Sequence, residues 1–276
     1  MDPRLEALPA RYAIEREIGR GGSSRVYVAT DTANGQRVAI KVLHPELAGS
    51  VSALRFEREV RVLISLAHPG ILPVLDSAVS GTTLFYTMPY LDGTTLSQRL
   101  ASEGPLPYPE VARILRELAL AIDYAHSQNV VHRDIKPANV LFDGVRPVIA
   151  DFGIARAILA ASSESGVSSS GLAIGTPMYM SPEQSLHPNH VDGRADIYSL
   201  GCIAFEMLTG HPPFVAATSM AIVAKHVSEP PPLLRRYRAD LPLHAERAIA
   251  EAMAKSRVSR PRTASAFARA LSGEAP

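Results

Sequence analysis

The chain has 276 residues, of which 46% are apolar and 20% are charged, so we expect a folded globular protein rather than a disordered one. Its 28 basic and 27 acidic residues leave a formal net charge of +1, which gives no support to binding of nucleic acid or of an anionic membrane surface. The single cysteine, Cys202, excludes an internal disulfide, and the apolar run around it predicts a buried side chain.

No apolar segment typical of a signal peptide follows Met1, and no apolar run approaches the roughly 20 residues that a membrane helix needs. We therefore expect a soluble, cytoplasmic protein with no membrane segment in this sequence. Because the chain ends soon after its last helical pattern, the alternative is the cytosolic domain of a longer, membrane-anchored protein.

The N-terminal part of the chain carries mainly strand patterns. Tyr12–Arg20, Arg25–Asp31 and Gln36–Leu43 contain Val, Ile and Tyr in partial alternation, which predicts three strands. Asn34 followed by Gly35 predicts a tight turn between the second and the third.

A helix and two more strands follow. Ser52–Ala67 is predicted to be helical because Phe56 and Leu63 fall on one apolar face. Ile71–Val79 and Leu84–Met88 are predicted strands. Together these patterns indicate a small β-rich unit with one helix.

A glycine-rich segment connects the first two predicted strands. Gly19, Gly21 and Gly22 would let backbone N–H groups approach phosphate oxygens, so the segment is a candidate phosphate-binding loop. Ser24 stands where a G-x-G-x-x-G pattern has its third glycine, and the alternative interpretation is a flexible hairpin tip. The absence of a following helix and of Gly-Lys-Ser/Thr argues against a dinucleotide-binding fold and a P-loop.

Lys41 lies near the end of the third predicted strand, between Ile40 and Val42. Because side chains alternate between the two faces of a strand, Lys41 could simply point into solvent. A functional interpretation therefore needs a carboxylate partner for its ammonium group. Glu59, which borders the apolar face of the predicted helix, is the candidate partner. Either residue alone would be an ordinary solvated side chain, and the pair gains its significance from the motifs further along the chain.

Helical periodicity dominates the rest of the sequence. An apolar stripe over Pro109–Gln128 predicts an amphipathic helix. Asp196–Thr209 is apolar on nearly all sides, which predicts a central buried helix. Residues 160–171 are rich in Ala, Ser and Gly without periodicity, which predicts a mobile loop.

The residues with the clearest chemistry lie between these elements. An H-R-D sequence at 132–134 is followed by Asn139, and a D-F-G sequence begins at Asp151. They supply a candidate base, a cation and two metal ligands, the groups that phosphoryl transfer needs for positioning and charge neutralisation. H-R-D-x-x-x-x-N followed by D-F-G matches the protein-kinase signature.

The chain resembles eukaryotic-type protein kinases, and in particular the bacterial serine/threonine kinases, over residues 12–272. The resemblance implies a two-lobed α+β fold with ATP in the cleft between the lobes. The small lobe, residues 12–90, would be an antiparallel β-sheet with one helix, and the large lobe, residues 92–272, would be mainly helical. The implied reaction is Mg²⁺-dependent transfer of the γ-phosphoryl group of ATP to Ser or Thr hydroxyls of protein substrates, with Mn²⁺ as an alternative metal.

The resemblance also implies catalytic roles. Lys41 would hold the α- and β-phosphates and pair with Glu59. Asp134 would orient or deprotonate the attacking hydroxyl group, and Lys136 would reach the γ-phosphate. Thr176 resembles the threonine that contacts the catalytic aspartate and lysine in serine/threonine kinases.

The nucleotide and metal positions follow from the same resemblance. Asn139 and Asp151 would hold Mg²⁺, which prefers hard oxygen donors. Pro89 stands where relatives usually carry Glu, but its backbone carbonyl remains able to bond adenine. The implied nucleotide-binding residues are Ile18, Gly19, Gly21, Gly22, Val26, Ala39, Lys41, Met88, Pro89, Leu91, Asn139, Leu141 and Asp151.

Structural and regulatory roles are implied as well. Glu183 would pair with Arg260, Asp196 would brace the backbone of the catalytic loop, and Ser181 replaces the usual Ala of A-P-E. Arg133, beside the candidate base, suggests a phosphorylated activation loop, with a homodimer for autophosphorylation between copies left open. The candidate phosphorylation sites are Ser162, Ser163, Ser165, Ser168, Ser169 and Ser170.

Three alternative functions remain at this point: a pseudokinase scaffold, a small-molecule kinase and a pure interaction module. A pseudokinase would lack Lys41, Asp134 or Asp151, and all three are present. A small-molecule kinase would lack the complete peptide loop at 176–183. The histidines other than His132 show no metal-ligand spacing and are interpreted as structural or surface residues: His44, His68, His126, His187, His190, His211, His226 and His244.

Overall fold

The structure, a computed structural model, describes residues 8–21, 24–44, 53–80, 83–152 and 177–274. The chain divides into two compact units. Within the described ranges, the first unit contains residues 8–67 and 72–92, and the second contains residues 68–71, 93–152 and 177–274.

The first unit is built on an antiparallel sheet of five strands in the order β1-β2-β3-β5-β4. The three N-terminal strands have nearly the predicted bounds, because alternating β-branched residues and the turn at Asn34 specify them locally. The strands are β1 Tyr12–Arg20, β2 Ser24–Asp31, β3 Gln36–Leu43, β4 Asp76–Ser80 and β5 Thr83–Pro89.

The strand predicted at 71–79 is wrong over its first half. Only Asp76–Ser80 pairs with β5, whereas Ile71 makes an isolated bridge to Ile149 in the second unit. Pro73 has no N–H group to donate to a ladder, which disfavours a regular strand through this stretch.

A hydrophobic core of the first unit lies on one face of the sheet. Tyr27, Ile40 and Phe85 are buried together on that face. The predicted helix is α1, Ala53–Ile64, which ends three residues before the predicted end at Ala67. Its Phe56 side chain is fully buried, as the apolar periodicity predicts.

The second unit is mainly helical and contains one short hairpin, β6 Val140–Asp143 and β7 Arg146–Ile149. Single 3₁₀ turns occur among the connections. No described helix has the length and apolar character required to cross a membrane. The helices described here are α2 Leu96–Glu103, α3 Tyr108–Ser127, α4 Pro182–Leu186, α5 Arg194–Thr209, α6 Ser219–Ser228, α7 Leu243–Ala252 and α8 Ala264–Ser272.

Helix α5 is the buried centre of this unit, which confirms the prediction from its apolar character. Gly201 allows close packing against α7, because a Cβ atom there would lie 3.0 Å from the Cβ atom of Ala252. Cys202 is fully buried, and burial raises the pKa of its thiol, so it behaves as the small apolar side chain that the sequence predicts.

Helix α2 was not predicted from apolar periodicity. Its first turn is stabilised by side-chain hydrogen bonds. Thr95 and Gln98 form a capping box: the Gln98 backbone N–H donates to Thr95 Oγ1, and the Thr95 N–H donates to Gln98 Oε1.

Just before α2, the backbone at Gly93 passes close to strand β6 of the hairpin. A Cβ atom on Gly93 would lie 1.9 Å from the carbonyl oxygen of Phe142, so this approach requires glycine.

Candidate active site

In the first unit, the residues predicted to bind nucleotide gather on one face of the sheet. Val26 pairs with Lys41 across β2 and β3, and Ala39 pairs with Met88 across β3 and β5. Since directly paired residues share a face, these side chains lie opposite the core that contains Ile40. Lys41 and Val26 are partly exposed, whereas Ala39 and Met88 are buried.

Lys41 also pairs with Tyr86, and its Nζ atom lies 6.0 Å from the centre of that ring. Glu59 is partly buried on α1, next to the fully buried Val60. Helix α1 packs against β4 and β5, so Lys41 and Glu59 belong to one packed unit. An ion pair between their side chains stays a prediction.

The described ends of the glycine-rich segment are joined by a backbone hydrogen bond. The Gly21 N–H donates to the carbonyl oxygen of Ser24 at 2.9 Å, and a ring nitrogen of His44 lies 3.1 Å from the Gly21 carbonyl oxygen. Ile18, near the end of β1, is 40% exposed. Gly22, like Thr176, lies outside the described residues.

In the second unit, three predicted residues meet at the carboxylate of Asp134. Lys136 Nζ donates to Asp134 Oδ2 at 2.7 Å. Asn139 Nδ2 donates to the same oxygen at 3.2 Å and to the Asp134 carbonyl oxygen at 2.8 Å. Both donors hold one oxygen atom, so the orientation of the carboxylate is defined within a loop of six residues.

His132 lies beneath this loop and is fully buried. The Asp134 N–H donates to His132 Nδ1 at 3.2 Å, so the proton is assigned to Nε2, which lies 3.1 Å from the carbonyl oxygen of Ala150. Burial lowers the pKa of His132, in agreement with a neutral imidazole. Its ring packs on Phe152 with centroids 4.4 Å apart, so His132 is part of the core beneath the loop.

Asp196, at the start of α5, braces the same loop as the resemblance implies. Its carboxylate accepts the N–H groups of His132 and Arg133, each at 2.8 Å. His126 of α3 adds a contact of 2.8 Å to Asp196 Oδ2. Burial opposes the charged imidazolium, but the hydrogen bond and the charge of Asp196 raise the pKa of His126 above its ordinary value.

The two predicted metal ligands flank one hairpin. Asn139 immediately precedes β6, Asp151 follows β7 by two positions, and Val140 pairs with Ile149 between them. The Ala150 N–H donates to the Asn139 carbonyl oxygen at 2.9 Å, which ties the two ends together. Asp151 has a φ of 62°, an uncommon value for a residue with a side chain, and such conformations cluster at functional sites.

The side-chain donor of Asn139 is used by Asp134, so its amide oxygen is the atom suited to a cation. An amide oxygen and a carboxylate are a donor set that suits a hard divalent ion such as Mg²⁺. Leu141, the predicted adenine contact of this unit, is partly exposed in β6 opposite Val148.

The segment that begins at residue 177 is tied into the second unit by an ion pair. Arg260 donates from both terminal nitrogens to Glu183, at 2.6 and 2.8 Å, which confirms the predicted pair. The sequence did not indicate a role for Gln184, whose side-chain Nε2 donates to the Arg133 carbonyl oxygen at 2.7 Å. It also did not identify His126 as a partner of Asp196, since a lone histidine carries no spacing signal.

Comparison with known proteins agrees with this arrangement. The sequence profile of the protein kinase domain matches residues 12–267, nearly the whole chain. The chain belongs to the protein kinase domain family. Members of this family use ATP and a divalent metal ion.

Among the curated relatives, the chain is 36% identical over 263 residues to the serine/threonine-protein kinase PknB of Mycobacterium leprae, covering 93% of this chain and 42% of the relative. It is 35% identical over 259 residues to the serine/threonine-protein kinase PrkC of Bacillus subtilis, covering 93% and 39%. The chain therefore spans less than half the length of these relatives.

Two solved structures share the fold. The PknI kinase domain of Mycobacterium tuberculosis, crystallised as a mutant, is 32% identical with a TM-score of 0.76, over 96% of this chain and 95% of that one. Rad53 1–466 in complex with AMP-PNP is 24% identical with a TM-score of 0.76, over 96% and 67%, and supports the fold alone.

Proposed function

We propose that the chain is an ATP-dependent serine/threonine protein kinase that transfers the γ-phosphoryl group of ATP to Ser or Thr hydroxyls of proteins. The observation that carries the proposal is the carboxylate of Asp134, held by Lys136 and Asn139 in a loop that Asp196 braces. Relatives named as serine/threonine-protein kinases support the same class of acceptor. Because ATP is the substrate, we propose that the reaction takes place in the cytoplasm.

In this mechanism, Asp134 orients the acceptor hydroxyl and accepts its proton as the phosphoryl group moves in line. Lys136 lies 2.7 Å from Asp134, so its ammonium group is close enough to neutralise charge on the transferred group. We assign Thr176 to the contact that orders these two side chains. Serine and threonine side chains in protein substrates are the expected acceptors.

Binding of ATP is assigned to both units. Lys41 would hold the α- and β-phosphates and be oriented by Glu59, while Val26, Ala39 and Met88 would contact adenine. The shared face of Val26, Lys41, Ala39 and Met88 in the sheet supports this assignment. The remaining proposed contacts are Ile18, Gly19, Gly21, Gly22, Pro89, Leu91 and Leu141.

We assign Mg²⁺, with Mn²⁺ as the alternative, to Asn139 and Asp151. Their amide and carboxylate oxygens at the two ends of one hairpin support the assignment. When bound, the metal ion neutralises charge on the phosphate oxygens. The protein's own part is to hold the two ligands in place, and Asp134 contributes to it by bonding the amide of Asn139.

We further propose that residues 12–272 form one catalytic domain, with a small lobe at 12–90, a large lobe at 92–272 and the nucleotide between them. The family match over residues 12–267 supports a single catalytic domain over most of this range. Autophosphorylation of the loop at 160–171, between two copies of the chain, would place a phosphate near the catalytic loop and Arg133. That loop lies outside the described residues.

The test is incubation of the purified chain with labelled ATP, Mg²⁺ and a general protein substrate, followed by mapping of the phosphorylated sites. We expect label on Ser and Thr residues, including positions between Ser162 and Ser170, and none when the metal is chelated. The Asp134→Asn protein, purified without prior phosphate, is the control for autophosphorylation. Absence of transfer to any protein, with ATP still bound, would favour the pseudokinase scaffold.

A further inference from the structure

The peptide unit that joins Arg133 to Asp134 is held at both ends. At its carbonyl end, Gln184 Nε2 donates to the Arg133 oxygen at 2.7 Å. At its amide end, the Asp134 N–H donates to His132 Nδ1 at 3.2 Å. The Arg133 N–H is held in addition by Asp196 at 2.8 Å.

This peptide unit needs such support because Arg133 has a φ of 66°. A residue with a Cβ atom in the left-handed region is strained and persists only where its surroundings define it. Rotation of the peptide plane between Arg133 and Asp134 would change ψ of Arg133 and φ of Asp134. It would turn the Asp134 side chain away from the position that Lys136 and Asn139 define.

Gln184 is itself oriented by Ser181, the first residue of the turn that opens α4. Gln184 Oε1 accepts the Ser181 N–H at 3.0 Å and the Ser181 Oγ–H at 3.2 Å. Because the amide oxygen is occupied by these two donors, the amide nitrogen faces Arg133, and the orientation of the amide group is settled by its partners. Ser181 is fully buried, whereas Gln184 and Arg133 are partly exposed.

We propose that Gln184 is a positioning residue for Asp134: it holds the Arg133–Asp134 peptide plane and thereby couples the turn at Ser181 to the catalytic carboxylate. The proposal rests on the proposed kinase function, because Asp134 is the group that it positions. Gln184 does not touch the reacting atoms, so its substitution affects the rate of transfer rather than the affinity for ATP.

The main test replaces Gln184 by methionine, which keeps the length of the side chain and removes both hydrogen-bonding groups. Gln98→Met is the matched control, since Gln98 occupies the same capping-box position in α2 and its side chain is exposed to solvent. We expect kcat of Gln184→Met to fall roughly ten-fold, the effect of one lost hydrogen bond, with KM for ATP unchanged. Gln98→Met should keep the wild-type kcat.

A second variant, Gln184→Glu, keeps the acceptor for Ser181 and replaces the donor by a carboxylate facing the Arg133 oxygen. We expect a fall in kcat at least as large as that of Gln184→Met, with a similar melting temperature, because the Ser181 contacts remain. Wild-type kcat in Gln184→Glu would overturn the proposal.

Hydrogen exchange of the Asp134 amide, followed by NMR, provides a readout that does not depend on activity. We expect faster exchange in Gln184→Met than in the wild type or Gln98→Met, since the Asp134 N–H loses its orientation toward His132. Equal exchange rates, or equal kcat values in the two methionine variants, would overturn the positioning role. If the wild-type chain transfers no phosphoryl group, the proposed function fails, and the exchange rates still decide whether Gln184 holds this peptide.

Discussion

At the scale of single residues, the candidate site depends on how one carboxylate is held. Asp134 Oδ2 accepts both Lys136 and Asn139, and the loop that carries it contains a left-handed residue at Arg133. Charge-assisted hydrogen bonds are short and orient their acceptor well. We therefore expect a substitution that removes the charge of Asp134 to disturb the site even when the shape of the side chain is kept.

Asp134→Asn removes that charge with almost no change in volume. We expect nucleotide binding to be retained and phosphoryl transfer to fall by at least ~10²-fold, the contribution typical of a general base. Steady-state transfer to a protein substrate, alongside calorimetry with ATP, measures both quantities. Turnover near the wild-type rate would show that this carboxylate is not the group that handles the hydroxyl.

Asp151→Ala addresses the proposed metal site. We expect weaker binding of Mg²⁺-ATP and loss of transfer, because a carboxylate ligand of the bridging metal is removed. Binding of adenosine, which carries no phosphate, should change far less and serves as the control. Equal calorimetric affinities for Mg²⁺-ATP in the two proteins would contradict a metal-ligand role for Asp151.

At the scale of secondary-structure elements, the catalytic loop is fastened to α5 and α3. The carboxylate of Asp196 at the start of α5 accepts two loop N–H groups, and His126 near the end of α3 contacts the same carboxylate. Gly193 permits this contact, because a Cβ atom there would lie 2.6 Å from the His126 ring. The buried side chain of Asp196 thus connects α3, α5 and the catalytic loop.

His126→Gln tests that junction through its pH dependence. The folded-state pKa of His126 is raised above 6.5, so its protonated form adds stability that is fully present below pH 6.5 and is lost as pH rises through the folded pKa. We therefore expect the variant to lose most stability relative to wild type at acid pH, with the difference shrinking at alkaline pH. A charge-assisted hydrogen bond contributes roughly 1.5–3 kcal/mol, which sets the scale.

Urea unfolding of both proteins across pH measures this difference. Comparison with the wild type is necessary because buried histidines with lowered pKa values, such as His132, act in the opposite sense and lose stability as pH falls. A difference between the two proteins that is independent of pH would mean that His126 contributes only as a neutral donor.

At the scale of the whole molecule, residues far apart in the chain are joined by Arg260. Its guanidinium is buried, pairs with both oxygens of Glu183 and also donates to the backbone oxygens of Arg194, Ala254 and Lys255. Burial alone would raise the pKa of Glu183, but Arg260 holds it below its ordinary value. The start of α4, the start of α5 and the segment before α8 are therefore fastened at one point.

Arg260→Met leaves Glu183 as a buried carboxylate without its cation. We expect a loss of roughly 3–5 kcal/mol in the free energy of unfolding, the cost typical of breaking a buried pair from one side. The double variant Glu183→Gln with Arg260→Met should recover part of this loss, because the unpaired charge is removed. Denaturant unfolding measures both, and a single variant as stable as wild type would contradict the role assigned to the pair.

Much of the fold follows from local patterns in the sequence. Alternating β-branched residues defined β1 and β3, the apolar stripe defined α3, and an almost wholly apolar stretch defined α5. Such patterns act over a few residues, since side chains repeat every two positions in a strand and every 3.6 in a helix. The spacing from His132 to Asp151 likewise identified the candidate chemistry, because these residues lie on one short stretch of chain.

The tertiary structure decided which chain-distant groups meet. The contact of Gln184 with the Arg133 carbonyl joins residues 51 positions apart, and that of His126 with Asp196 joins residues 70 apart. No periodic pattern in the sequence indicates either contact, because each contact depends on how α3, α4 and α5 pack around the catalytic loop. Tertiary pairing also explains why the strand prediction at 71–75 was wrong. The apolar residues there fit a strand pattern, but pairing with β5 determines where β4 begins.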